Sequence, residues 1–117
     1  MARYIGIMSG TSLDSIDCVL CDIDVAGKPQ LLAHHTRPFP GVLQQELRAL
    51  CQPGDNEIER LGPADRWLGS EYAAAVSDLL AKAKCRTEEV TAIGCHGQTI
   101  RHRPANDTQA PKTAFTL

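Results

Sequence analysis

Ser9, Thr11 and Ser12 place three hydroxyls around Gly10, and the carboxylates of Asp14 and Asp17 follow at once. Glycine lets a backbone turn approach a ligand closely. Successive N–H groups in such a turn can form an anion-binding nest, and the hydroxyls add neutral donors. No Lys or Arg lies between Arg3 and Lys28, so this is a phosphate cradle without a local cation. It is not a P-loop, because GxxxxGK[ST] is absent. The same residue types also make an ordinary turn, since Ser, Thr, Gly and Asp favour turns for local reasons. Asp17 weighs on that choice. It sits between Ile16 and Cys18 in an apolar run, where a carboxylate is costly to desolvate unless a metal-bound water, a hydroxyl or a ligand pairs with it. An exposed strand face is the other reading of Asp17.

A second cluster, His96-Gly97-Gln98-Thr99, follows the apolar run Thr91 to Cys95. Ligands gather outside the carboxyl ends of strands in open α/β sheets, and His96, Gln98 and Thr99 are neutral hydrogen-bonding groups of the kind a sugar needs. His96 and His102, with Cys95 nearby, invite a metal reading. Their H-x5-H spacing matches no strong zinc signature, and a third ligand is not evident. Cys18 and Cys21 form a CxxC spacing inside a strand, where residues three apart face opposite sides. That argues against a redox pair or half a zinc site.

The elements that must hold these clusters follow from periodicity. Strands are expected over Arg3 to Met8, Ser15 to Asp24 and Gln30 to Phe39, making an antiparallel three-strand meander. His34 and His35 then face opposite sides of the sheet, one exposed and one packed. Pro40-Gly41 breaks the third strand. Val42, Leu43, Leu47 and Leu50 predict a helix over Val42 to Cys51, which Pro53-Gly54-Asp55-Asn56 ends. Glu57 to Leu61 reads as a separate helical turn. Gly62-Pro63 then starts a long helix from Ala64 to about Lys84. Its buried stripe is Leu68, Tyr72, Ala75, Val76, Leu79, Leu80 and Ala83, with Trp67 at the edge. Thr87 is expected to N-cap a first turn carrying Glu88 and Glu89. Thr91 to Cys95 is expected to be a short buried strand. A long helix feeding it suggests a crossover and parallel pairing. Ile100 to His102 extends briefly, Pro104 to Lys112 is a polar loop, and Thr113 to Leu117 begins another strand. A chain ending inside a strand reads as a piece of a longer protein.

With 117 residues, 43% of them hydrophobic and 22% charged, the chain has the composition of one globular domain. A net charge of −2 without a basic patch gives no support for electrostatic binding of nucleic acid. No apolar run reaches the ~20 residues of a membrane helix, and the N-terminus lacks a signal-peptide core. Five scattered cysteines without a secretory signal argue for free thiols and a cytoplasmic location.

Taken together, MSGTSLDSID from Met8 to Asp17 and AIGCHGQTIRHRP from Ala92 to Pro104 closely resemble the N-terminal part of the bacterial anhydro-N-acetylmuramic acid kinases, in sequence, order and separation. The likeness spans nearly the whole chain, and Phe115 to Leu117 matches where a family strand continues. The chain departs at Ser15, where the family usually has glycine. The resemblance implies an actin/hexokinase/Hsp70-type fold, that is, a ribonuclease H-like ATPase of two α/β domains with ATP and sugar in the cleft between them. Residues 1–117 would be an incomplete first lobe, well under half of the family's length.

The resemblance further implies ATP bound by Gly10, Thr11, Ser12, Leu13, Asp14, Ser15, Ile16 and Asp17, with Mg²⁺ at the phosphates. Asp14 or Asp17 could serve that ion. The implied reaction opens 1,6-anhydro-N-acetylmuramic acid with water at C1 while O6 takes the γ-phosphoryl group. The product, N-acetylmuramic acid 6-phosphate, belongs to peptidoglycan recycling. The implied general base is an aspartate after Leu117, so none of Asp14, Asp17, Asp22 or Asp24 takes that role. Residues 1–117 alone are expected to be inactive, and the full-length protein has room for a homodimer among its states. Two other readings stand beside this one: a nucleotide-binding half-domain without turnover, and a metal-dependent hydrolase using His96 and His102.

Overall fold

The computed structural model describes residues 1–10, 12–105 and 114–117. Thr11 and the positions 106–113 lie outside the described residues, so most of the expected polar loop and the start of the last expected strand are not covered.

Three long strands, β1 (Ala2–Ser9), β2 (Ser15–Ile23) and β3 (Pro29–Pro38), form the expected antiparallel meander. A fourth, β4 (Ala92–Cys95), pairs in parallel with β1, and the sheet order is β3-β2-β1-β4. The fold is therefore α/β with a mixed sheet. Parallel pairing of β1 with β4 demands a crossover, and two helices supply it, α1 (Gly41–Leu50) and α2 (Glu57–Ala83). They cover one face of the sheet. Alternation puts Ile5, Ile7, Ile16, Cys18 and Leu20 on that face, where they meet Leu43, Leu47 and Leu50 of α1 and Leu68, Tyr72, Ala75 and Leu79 of α2. Val76, Leu80 and Ala83 pack partly buried at its margin. Val42, counted in the apolar stripe of α1, is instead exposed in its first turn.

Three sequence expectations are corrected. Glu57 to Leu61 and the long helix are one element of 27 residues, with Pro63 inside it. The missing Pro63 N–H falls at the seventh helical position and forfeits one intrahelical bond. Gly62 has no Cβ to meet the proline ring, and Leu61 and Ala64 pack on the core from either side of it. Burial therefore holds the helix through the break. Thr87 is not an N-cap. Thr87–Glu89 is a single 3-10 turn, and its N-terminal bond runs from Arg86 N–H to the Glu89 carboxylate at 2.6 Å. Finally, β4 is exposed along its length. As an edge strand it is paired on one side only, and the helices cover the sheet mainly over β2 and β3.

The two adjacent histidines behave as alternation requires. His34 points to the open face, and His35 turns to α2, with Nε2 3.4 Å from Asp78. Arg37, on the same side of β3, bonds Glu71 at 2.8 Å and Asp78 at 3.2 Å and straps the strand to α2. Trp67 lies at the edge of the stripe, its indole N–H 3.3 Å from Glu71. A bulge between Leu20 and Cys21 shifts the β2–β3 register. Cys18 is buried against α2, whereas Cys21 bonds back to the Tyr4 carbonyl on β1. Beyond β4, β5 (His102–Arg103) and β6 (Phe115–Thr116) make a small antiparallel pair, tied to the start of α2 by the Arg101–Glu57 ion pair.

Candidate functional site

Both sequence clusters leave the same end of the sheet. Ser9 ends β1 and opens the Gly10–Asp14 turn, while Cys95 ends β4 and opens the His96–Thr99 turn. Because β1 and β4 are parallel neighbours, with Ile7 opposite Cys95, their carboxyl ends lie side by side. The pairing continues one step further, with His96 N–H donating to the Ile7 carbonyl at 3.1 Å. Ser9 Oγ then reaches the Gly97 carbonyl at 3.3 Å. Gly97 has φ of 75°, a left-handed conformation that glycine adopts without strain.

The first turn is held from behind by α1. Leu13 N–H closes it onto the Gly10 carbonyl at 3.0 Å. Gln44 Nε2 donates to the Leu13 carbonyl at 2.7 Å, and Arg48 Nη2 to the Ser12 carbonyl at 3.0 Å. Gln44 and Arg48 are four apart and share a helix face, so one face of α1 grips two successive carbonyls. Leu13 itself has φ of 56°, which costs a non-glycine residue about 1–2 kcal/mol. Its side chain is only 1% exposed, and burying a leucine is worth about 1.5–3 kcal/mol. Burial together with the Gln44 bond therefore decides the conformation. Among the described residues, the N–H groups of Gly10, Ser12 and Asp14 take no protein acceptor.

The expected nucleotide residues divide by position. Gly10, Ser12 and Asp14 are exposed at the tip, while Leu13 and Ile16 are core side chains that can offer only backbone. Thr11 lies outside the described residues. Ser15 begins β2 opposite Pro38. Asp17 stands on the open face of the sheet, half-exposed, where it accepts from Thr36 Oγ1 at 2.8 Å and lies 3.4 Å from His34 Nε2. The exposed-face reading of Asp17 thus describes its position, and Thr36 and His34 are its partners.

The second cluster divides as well. His96 borders a shallow groove of about 410 Å³ on the open face, together with Asp17, His34, Gly6 and Gly94. Gln98 turns the other way, into a cleft of about 510 Å³ between α2 and the segment that carries Ile100 and Leu117, beside Leu61 and Leu68. Its Nε2 reaches the Thr99 carbonyl at 3.3 Å, and its Oε1 is buried without a protein partner among the described residues. His96 and Gln98 do not converge on one pocket, and Thr99 joins neither groove among the described residues. His102 is removed from both, with Nδ1 2.7 Å from Thr116 Oγ1.

Three residues of the site carry no local sequence signal. Gln44 and Arg48 read as polar positions of an amphipathic helix, and Tyr72 reads as core. Tyr72 OH in fact meets Ser9 Oγ at 2.6 Å in the interior, and burial pushes the phenol pKa up. The cation missing from the first turn's own sequence is brought by Arg48, though to a carbonyl rather than to the open donors.

Gln44→Ala in the full-length protein is expected to lower stability by about 1 kcal/mol, the value of a typical hydrogen bond. It should also weaken nucleotide binding several-fold by loosening Leu13. Melting and nucleotide titration check this, and unchanged titration would separate α1 from the turn's function.

The chain matches the family model described as anhydro-N-acetylmuramic acid kinase over residues 2–114. It is 54% identical over 104 residues to the anhydro-N-acetylmuramic acid kinase of Shewanella sp. (strain ANA-3), an alignment covering 88% of this chain and 28% of that protein. The protein of the same name from Shewanella oneidensis is 53% identical over 104 residues, again 88% of this chain and 28% of the relative. That from Shewanella baltica (strain OS223) is 52% identical over 103 residues, with the same two shares. The chain therefore spans about 28% of the length of the curated relatives it matches.

Proposed function

The chain belongs to the anhydro-N-acetylmuramic acid kinase family, and on that premise we propose that the full-length protein is an ATP-dependent kinase of 1,6-anhydro-N-acetylmuramic acid. The observation that carries the reading is the side-by-side placement of the Gly10–Asp14 and His96–Thr99 turns, tied through Ser9 and Gly97. A kinase needs a phosphate-binding turn next to an acceptor-binding edge, because phosphoryl transfer depends on positioning and charge stabilisation.

In this reading the N–H groups of Gly10, Ser12 and Asp14 bind phosphate oxygens with the Ser12 hydroxyl beside them, and Thr11 is a further donor by residue type. Leu13, Ser15 and Ile16 contribute backbone and shape. His96 on the open face is the sugar-side contact, and Gln98 and Thr99, which do not share its groove, shape the turn that carries it. Water adds to C1 as the C1–O6 bond opens, and O6 takes the γ-phosphoryl group, giving N-acetylmuramic acid 6-phosphate and ADP. Residues 1–117 form part of one lobe of an actin-type ATPase fold, in the cytoplasm, with the general base elsewhere in the full-length protein. The donor set fits a magnesium nucleotide: Asp14 is an exposed carboxylate at the tip, and Asp17 stands at the same end of the sheet on its open face. Mg²⁺, when bound, neutralises phosphate charge.

The test is to incubate full-length protein with ATP, Mg²⁺ and the anhydro sugar and follow the sugar phosphate by mass spectrometry, with residues 1–117 alone as a second arm. Product from the full-length protein only is the expected outcome. No product from the full-length protein refutes the kinase reading, and product from residues 1–117 refutes the placement of the base.

Asp17→Asn is expected to lower turnover about tenfold or more, raise the Mg²⁺ requirement and leave the melting curve close to wild type. An exposed acceptor contributes on the order of 1 kcal/mol or less to stability. Wild-type turnover across a Mg²⁺ titration would leave Asp17 as a partner of Thr36 and His34 only.

A further inference from the structure

Ser9 is a buried polar side chain within an apolar core, 3% exposed. Its hydroxyl has one proton. The Gly97 carbonyl can only accept, so Ser9 Oγ donates there at 3.3 Å. The contact of 2.6 Å to Tyr72 OH must then run the other way, with the phenol donating to Ser9 Oγ. The result is a directed chain: Tyr72 O–H to Ser9 O–H to the carbonyl of Gly97. It joins the middle of α2, the residue that opens the first turn and the residue at the centre of the second.

Stability alone does not ask for this chain. Tyr72 is 8% exposed on the packed stripe of α2, and a phenylalanine would fill the same space. Buried hydroxyl pairs add little net stability, because both groups give up water. What the chain supplies is geometry. α2 packs against β2, β3 and α1. Gly97 has a left-handed backbone in a half-buried turn, and its carbonyl is met by Ser9 Oγ at 3.3 Å and by the neighbouring His96 Nδ1 at 3.4 Å. Two hydrogen bonds therefore link both turns to the packed helix α2.

Resting on the kinase reading above, we propose that Tyr72 is a positioning residue, whose hydroxyl acts through Ser9 to hold the phosphate turn and the sugar-side turn at one separation and so to align phosphoryl donor and acceptor. Tyr72 touches neither reactant. Removing its hydroxyl leaves each turn intact and able to bind, but lets one shift against the other. Small misalignments of reacting groups are costly to the chemical step.

The experiment uses full-length Tyr72→Phe, Ser9→Ala and the double variant, assayed for sugar phosphorylation. For Tyr72→Phe, kcat should fall about tenfold while KM for ATP and KM for the sugar stay within about twofold, the signature of a loss confined to the transition state. The double variant should fall no further than Ser9→Ala, since both act through one chain. An unchanged kcat in Tyr72→Phe, a loss expressed in KM, or losses that multiply in the double variant would each overturn the proposal. Absence of product from the wild-type protein refutes the kinase reading by itself, and the coupling is then judged by amide hydrogen exchange. Faster exchange at Gly97, Gln98 and Thr99 in Tyr72→Phe, with α2 still protected, supports it, and unchanged exchange there overturns it.

Discussion

Gly10→Val in the full-length protein is expected to weaken ATP binding strongly while leaving the protein folded, because the branched side chain shields backbone N–H donors without removing them. The two halves of this expectation have separate causes. Gly10 is exposed and lies outside the left-handed region, and a Cβ built on it would meet only Ser12 Oγ at 3.7 Å, an ordinary contact. The fold therefore tolerates a side chain there. A branched side chain at the tip nevertheless stands where phosphate oxygens would approach the N–H groups of Gly10, Ser12 and Asp14. Calorimetric titration with ATP and Mg²⁺, beside a thermal melt, reads both halves. Wild-type affinity in a folded variant would remove this turn from the nucleotide site.

Leu79→Ala is expected to produce the largest loss of stability, about 3 kcal/mol within the 2–5 kcal/mol range for a buried leucine. Leu79 is fully buried on the face of α2 that covers the sheet, in the same cluster as Cys18, Leu20 and Ala75. The helix is anchored on both sides of it, by the Arg37–Glu71–Asp78 strap before it and by Lys82 Nζ on the His34 carbonyl after it. The cavity can therefore collapse only in part, and most of the transfer and void terms should appear. Urea denaturation of the full-length protein measures it. A loss below about 1 kcal/mol would mean that α2 does not rest on the sheet at this point.

The strands were legible because their signal is local. Alternation in Ile5, Ile7 and Ile16, Cys18, Leu20 places the core face of β1 and β2, and the break at Pro40-Gly41 ends β3 near where the sequence predicts. Parallel pairing of the strand at Ala92–Cys95 was legible from the long helix that feeds it, since a parallel neighbour needs a crossover of that kind, but that its partner is β1 was not. The extent of α2 was not. Pro63 looks like a helix start to a local rule, and the helix passes through it because Leu61 and Ala64 are both packed on the core. The exposure of β4 was not legible either: an apolar strand reads as buried, and only its place at the sheet edge leaves it open.

At the site the same division holds. The residue types alone determined a hydroxyl-rich glycine turn after one strand and a His-Gly-Gln-Thr turn after another, because each lies within a few consecutive residues and its chemistry is written in their side chains. The tertiary structure decided that the two turns adjoin, that Gln44 and Arg48 grip the first from behind, that Tyr72 reaches Ser9, and that His96 and Gln98 open onto different grooves. Those contacts join residues from 31 to 88 positions apart. No local periodicity encodes them, since they exist only once burial of the α1 and α2 faces has brought the helices down on the sheet.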